Sequence, residues 1–438
     1  MSCLLPAPLG SRYRGRRFSE DARLAAIASV NPYLSLDFIG KLYFKQQAPY
    51  SLASVPGYSF TRASAGYAQN AAGLLLPFAS GAPRITDKGV LVEGARTNLC
   101  LQSQAFETAS WFTTRASISA NAATAPDGTL TADKLIEDTG VTTTHYLGSA
   151  AMAVVADSTF TVSVLLKAAG RGWARVNGND NSETNQFFAY VNLATGAVGT
   201  TGGLGTGTFA SARVQAMSDG WYRIAITGSL GGGITSARIR VNTANADSGI
   251  NYTGDGSSGV HVWGAQLEAA AFESSYIPTV GASITRAADV LTFSSISGAY
   301  PWSLYAEFER VVDTGGSEVL FQVGPSANEE CFLYVDSSDR FSGQVKTGGV
   351  MQANEFVTGA LAVGTTYRGA LRVASNDVKA ARSGTLSTGD TSSTNPSAPT
   401  AIIFGNRFAQ DLPSWGYIRR AALFNAALAD ARLQALTA

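Results

Sequence analysis

From about residue 98 onward, apolar side chains recur at every second position in short runs, each closed by turn residues. Phe160, Val162, Val164 and Leu166 point one way along their segment, and Tyr222, Ile224 and Ile226 repeat the pattern, as do Ile239 and Val241. Period two is the signature of a strand with one face on a core. Val260-His261-Val262-Trp263 is apolar on both faces and reads as a central strand. A second series follows Arg286, with Leu304, Ala306 and Phe308, then Leu333 and Val335, then Leu371 and Val373. Short strands at this spacing, with turns between, indicate antiparallel sandwiches or jelly rolls. The two series share no sequence repeat, and 438 residues exceed what one core organises. Two different sandwiches are therefore expected, followed by a short helix over Leu428 to Leu436. Thr200 to Thr208, with four glycines, reads as a flexible loop, and Ser383 to Thr400 as a long surface loop.

Composition narrows the function classes. Lys plus Arg and Asp plus Glu each number 32, so the formal net charge is zero and no global field draws in nucleic acid. Cys3, Cys100 and Cys331 are odd in number and far apart, which gives no disulfide framework. His145 and His261 are the two histidines, which leaves few arrangements for metal or Ser-His-Asp chemistry. No stretch approaches the roughly 18 apolar residues of a membrane span. The N-terminus lacks the order of a signal peptide, so a soluble protein assembled in the cytoplasm, without membrane insertion, is expected.

The first 57 residues differ from the rest. Arg12, Arg14, Arg16 and Arg17 precede Ser19-Glu20-Asp21, which reads as a capped helix start with acids in its first turn. Leu24, Ile27 and Ala28 then share a face until Asn31-Pro32 stops the helix. So short a helix must dock on something. The expectation is a short, partly helical arm that attaches the chain to a partner; a helix packed on its own domain is the equal alternative. The fold class is thus mostly β, two antiparallel β-sandwich (jelly-roll) domains behind this arm.

Several segments, in order, resemble bacteriophage tail-fibre and head-fibre proteins, a family of virion appendages. They are Ser59-Phe60-Thr61-Arg62-Ala63-Ser64 with Gly89-Val90-Leu91-Val92-Glu93-Gly94-Ala95-Arg96-Thr97-Asn98-Leu99. Ala125-Pro126-Asp127-Gly128, Asp219-Gly220-Trp221-Tyr222-Arg223 and Val262-Trp263-Gly264-Ala265-Gln266-Leu267-Glu268 are similar to a carbohydrate-binding-module-like jelly roll that closes near Tyr276-Ile277-Pro278 and Arg286. Tyr417-Ile418-Arg419-Arg420 and the terminal helix resemble a concanavalin-A-like (laminin-G-like) sandwich. The resemblance implies an attachment arm over 1–57, a connecting segment over 58–97, a jelly roll over 98–285 and a concanavalin-like sandwich over 290–438. It further implies a virion fibre, spike or decoration subunit that contacts other virion proteins and host-surface glycans and forms a homo-oligomer, a trimer above all. The alternatives are a polysaccharide depolymerase and a purely structural cement protein.

Sugar recognition needs aromatic faces beside amide, carboxylate and Arg groups. Trp173, close to Arg175, Asn177 and Asn179, is the leading candidate; Trp302 and Trp415 are candidates in the second sandwich. Trp221 and Trp263 read as core. Glu307 and Glu309, two apart on one strand, lie about 6.6–6.8 Å apart along it, a spacing that a depolymerase can use. The place of a third acid is taken by Val312, so the pair reads as the solvated face of an edge strand and no catalytic residue is assigned. No cofactor and no metal ligand is expected; Asp255, Asp336 and Asp339 could hold calcium but read more simply as ordinary turn residues. Around the connecting segment, Arg can fork onto a carboxylate, so an Arg96–Glu93 or Arg62–Glu93 clasp is expected.

Overall fold

The computed structural model describes Ile27 and residues 29–438. Arg12, Arg14, Arg16, Arg17 and Leu24, the expected contacts of the arm, lie outside the described residues. The chain is mostly β and divides into two compact units. One, here the inserted unit, comprises residues 63–80 and 95–287; the other, the terminal unit, comprises residues up to 62, 81–94 and 288–438.

The inserted unit is a sandwich of two antiparallel sheets. One runs in the order Trp111–Thr114, Tyr146–Ser149, Ser236–Ala244, Trp173–Asn179, Gln186–Asn192, Val198–Leu204. The other runs Ala116–Ala123, Ala132–Glu137, Gly259–Glu268, Phe160–Ala169, Tyr222–Ser229, Thr208–Ala216. The alternation in sequence sets the core: Phe160, Val162, Val164 and Leu166 of the second sheet share one buried cluster with Ala174, Val176, Ile239 and Val241 of the first. The glycine-rich stretch expected as a loop is instead the end of Val198–Leu204 and the start of Thr208–Ala216. Gly203 is required there by close backbone approach, since a Cβ would lie 2.0 Å from the Gly207 carbonyl oxygen.

The terminal unit is also a sandwich. Its larger sheet runs Ala48–Tyr50, Leu42–Lys45, Leu34–Asp37, Gly416–Phe424, Trp302–Arg310, Thr366–Ala374, Asp377–Arg382, Thr385–Leu386. The facing sheet runs from Val350–Val357 to Tyr58–Thr61 through Phe341–Thr347, Glu329–Val335, Glu318–Ser326, Ala401–Phe404 and Val290–Ser294. The expected arm over 1–57 is corrected in its second half. Leu34–Asp37 pairs antiparallel with Gly416–Phe424, and Leu34, Leu36, Phe38 and Tyr43 are buried in the same core as Leu304 and Phe308. Apolar alternation over these residues is too short to stand out in the sequence, and long-range pairing supplies the rest. Ile27 is buried beside Phe424, Leu433 and Leu436 on the outer face of the larger sheet, within its own unit. The terminal helix, Asp430–Thr437, lies against the same face through Leu433 and Leu436.

Two further expectations fail in this unit. Trp302–Arg310 is a central strand, hydrogen-bonded on both sides, and Glu307 is only 2% exposed. Arg419 and Arg420 hold it at 3.2 and 2.9 Å, so it is a buried ion-pair centre rather than a solvated edge residue. Trp302 is fully buried, its indole N–H donating to the Gly298 carbonyl and its ring edge-on to Tyr33. Trp415 is buried as well, and its ring occupies the space that a side chain at Gly94 would need. Neither tryptophan is free to line a ligand cleft.

Candidate functional site

Of the six tryptophans, Trp111, Trp221, Trp263, Trp302 and Trp415 are buried, and Trp173 alone is partly exposed. It begins the strand Trp173–Asn179, whose even-numbered residues Ala174 and Val176 enter the core. Because side chains alternate, Trp173, Arg175, Asn177 and Asn179 must all stand on the opposite, outer face of the sheet. Strand register extends this row sideways. Opposite Arg175 lie Tyr190 on one neighbour and Asn242 on the other; opposite Asn177 lie Phe188 and Arg240; opposite Asn179 lie Gln186 and Arg238. Tyr146 then pairs with Asn242 from the next strand, and Phe112 with Gly148 beyond it. The outer face therefore carries amides, guanidiniums and aromatic rings in a continuous array. Four of the expected binding residues are brought together here.

Each guanidinium on this face is stacked on a ring. Arg240 sits 3.5 Å from the Tyr146 centroid, Arg175 4.0 Å from Phe188 and Arg238 5.2 Å from Phe112. Stacking holds a guanidinium flat and leaves its edge donors available for oxygen acceptors. Phe112 lies over Gly148, where a side chain would collide with the ring, which accounts for the glycine. Below the rings is a polar floor. Arg175 and Asn177 both donate to Gln186 Oε1 at 2.6 Å, and Gln186 donates to the Glu183 carbonyl. Glu183 accepts from Tyr146 at 3.1 Å and Arg240 at 2.7 Å.

That floor is incompletely satisfied. Asn177 and Asn242 are fully buried, yet Asn177 Oδ1 and both polar side-chain atoms of Asn242 make no hydrogen bond within the chain. Asn179 Oδ1 and the Nε atoms of Arg175, Arg238 and Arg240 are likewise buried and unbonded. Buried polar groups are nearly always paired, and one left unpaired costs about 1–3 kcal/mol. So many on one face mark a surface built to be completed by water or by a polar ligand. Burial holds the Arg175 guanidinium below the usual arginine range, with the like charge of Arg240 acting the same way. Sequence reasoning missed Arg238, Arg240, Asn242, Tyr146, Tyr190 and Phe188, because strand pairing, not sequence proximity, gathers them.

The other candidates are structural. In the terminal unit the expected clasp exists with different partners: Asp289 accepts from Arg62 at 3.0 Å, from Arg84 and from the Glu93 amide at 3.1 Å. Arg84 also binds Glu93 at 2.7 Å. Arg96 belongs to the inserted unit, with its guanidinium 4.5 Å from the Phe272 centroid. His145 is buried, its Nδ1 2.7 Å from the Arg115 carbonyl. Asp255 binds the amides of Ser257 and Ser258 and Asp336 those of Ser338 and Arg340, as turn residues do. No group of three or more His, Cys, Asp or Glu suited to a metal occurs among the described residues.

No protein-family model matches the chain, and no curated protein does. Among solved structures it is similar to the carbohydrate-binding module CBM40 of the Ruminococcus gnavus IT-sialidase, at 14% identity and TM-score 0.28, over 33% of this chain and 84% of that one. Mouse laminin alpha1 chain domains LG4-5 match at 14% identity and TM-score 0.23, over 67% and 91%. CBM66 of Bacillus subtilis matches at 12% identity and TM-score 0.22, over 31% and 78%. Likenesses this partial carry no functional assignment.

Proposed function

We propose that the chain is a non-catalytic, glycan-binding subunit of a virion appendage, with the outer face around Trp173 as its binding surface. The unsatisfied polar floor beneath stacked aromatic and guanidinium groups carries this reading. Amide and guanidinium donors suit sugar hydroxyls, and partly exposed Trp173 and Phe188 offer flat apolar faces for the sugar ring. The virion setting, contact with other virion proteins and a homotrimeric state rest on the sequence resemblance. The depolymerase alternative is disfavoured by Glu307, whose carboxylate is buried and held by arginines.

Intrinsic fluorescence tests the surface, since Trp173 is the one tryptophan open to solvent. Saturable quenching by host-surface polysaccharide, lost in Trp173→Phe, is expected; binding that leaves the emission unchanged contradicts the assignment. Release of reducing ends from that polysaccharide, abolished by Glu307→Gln, would establish the enzyme instead. Electron microscopy of intact particles locates the protein, and its absence from them removes the virion setting.

A further inference from the structure

The charges on the outer face do not balance. Arg240 is neutralised by Glu183 at 2.7 Å. Arg175 and Arg238 have no carboxylate partner among the described residues; Arg175 donates to Gln186, and Arg238 is only stacked on Phe112. The acids nearby are already engaged. Asp180 accepts from Ser182, Thr184 and Asn185 in its own turn, and Asp247 accepts from Thr200. Two uncompensated cations are thus held on aromatic rings over an unsatisfied polar floor.

Their spacing is regular. Arg238 and Arg240 are two residues apart on one strand, which places their Cα atoms about 6.8 Å apart. Arg175 lies on the adjoining strand, one pair further along than Arg240, at about 8 Å by the same strand geometry. Arg238 and Arg240 stand on one strand and Arg175 on the next, with Asn177 and Asn242 flanking the Arg240–Arg175 diagonal. A planar guanidinium edge matches a carboxylate in two-point fashion, and burial strengthens that attraction. A neutral sugar would leave both cations uncompensated.

Building on the glycan-binding reading, we infer that this face takes an acidic saccharide whose carboxylates recur along the chain. Arg175 and Arg238 bind carboxylates, and the floor amides bind hydroxyls between them. Arg175 and Arg238, on adjoining strands and two same-face pairs apart, also favour an extended oligosaccharide over a single terminal residue.

The test uses full-length protein and oligosaccharide pairs: uronate- and sialate-containing oligomers, each beside its carboxyl-reduced neutral counterpart, titrated calorimetrically. At least tenfold tighter binding of the acidic member of a pair is expected, about 1.4 kcal/mol. That preference should shrink as salt rises and vanish in Arg175→Gln/Arg238→Gln. Thermal unfolding of the double variant establishes that it is folded, and the single Arg238→Gln variant, at a partly exposed position, repeats the measurement. Equal binding of acidic and reduced members overturns the inference while glycan binding stands. Binding of neither member of any pair overturns glycan binding itself.

Discussion

At the scale of single residues, tryptophans separate binding from packing. Trp173, with Arg and Asn neighbours, leads as a ligand contact in the sequence, and Trp302, after Pro301, is a second candidate. The structure gives them opposite environments, one partly exposed on a polar face and the other at the centre of a core. Trp302→Ala should destabilise the terminal unit by about 3–5 kcal/mol through the cavity it leaves. Trp173→Ala should alter stability by less than about 1 kcal/mol and weaken saccharide binding. Denaturant unfolding of the two variants checks the contrast. A buried acid supplies a pH signature. Asp133 accepts from the Phe106 and Asn121 amides, yet burial, with Glu107 nearby, pushes its carboxyl up to about 6. An unfolded aspartate titrates near about 3.9, so between these values the folded state binds more protons. The associated stability is full below about 3.9 and is lost as pH rises through about 6. Thermal melts should show that decline in the natural protein and its flattening in Asp133→Asn.

At the scale of elements, period two located the strands but not their parity. The segment Val260–Trp263 read as apolar on both faces because each face meets a core, and a bulge follows it. Trp263 pairs with Leu165 and Gln266 with Ser163, so Gly264 and Ala265 oppose the single residue Val164. Val260 and Val262 face the main core before the bulge, and Ala265 and Leu267 after it. Trp263, by ordinary alternation, enters the smaller cluster with Tyr276 and Trp221 on the other face. Gly264 has φ +63, and a Cβ there would lie 2.7 Å from Leu165 Cδ1. Gly264→Ala should cost at least about 1 kcal/mol from left-handed backbone alone, with crowding adding to it. An unchanged melting temperature would show the bulge to be dispensable. The glycines of Thr200 to Thr208 misled the sequence reading for a related reason: they serve close packing between backbones, which looks the same in sequence as flexibility. The short strands Leu34–Asp37 and Leu42–Lys45 were invisible because their partners stand nearly 400 residues away or across a tight turn.

At the scale of the whole molecule, the order of short motifs carried more than any one of them. The chain passes between the units at residues 62–63, 80–81, 94–95 and 287–288. Arg62, Arg84, Glu93 and Asp289 lie next to those passages and meet in one buried cluster of the terminal unit. The sequence disclosed Arg62 and Glu93 as a clasp but not Arg84 or Asp289, which only the fold brings to them. Removing one member of a buried pair strands its partner, so Asp289→Asn should destabilise the terminal unit by about 3–5 kcal/mol. Calorimetry should then show that unit melting earlier. The proposed binding face was legible only along one strand, as Trp173, Arg175, Asn177 and Asn179; the sheet added the arginines and rings that give it chemical character. Its role is tested most directly by a glycan array probed with the natural protein beside Trp173→Ala and Arg238→Gln. Selective signal on acidic glycans is expected, lost or sharply reduced in both variants while their melting temperatures stay within a few degrees of the natural protein. No binding to any glycan, or an unaltered profile in both variants, would contradict it.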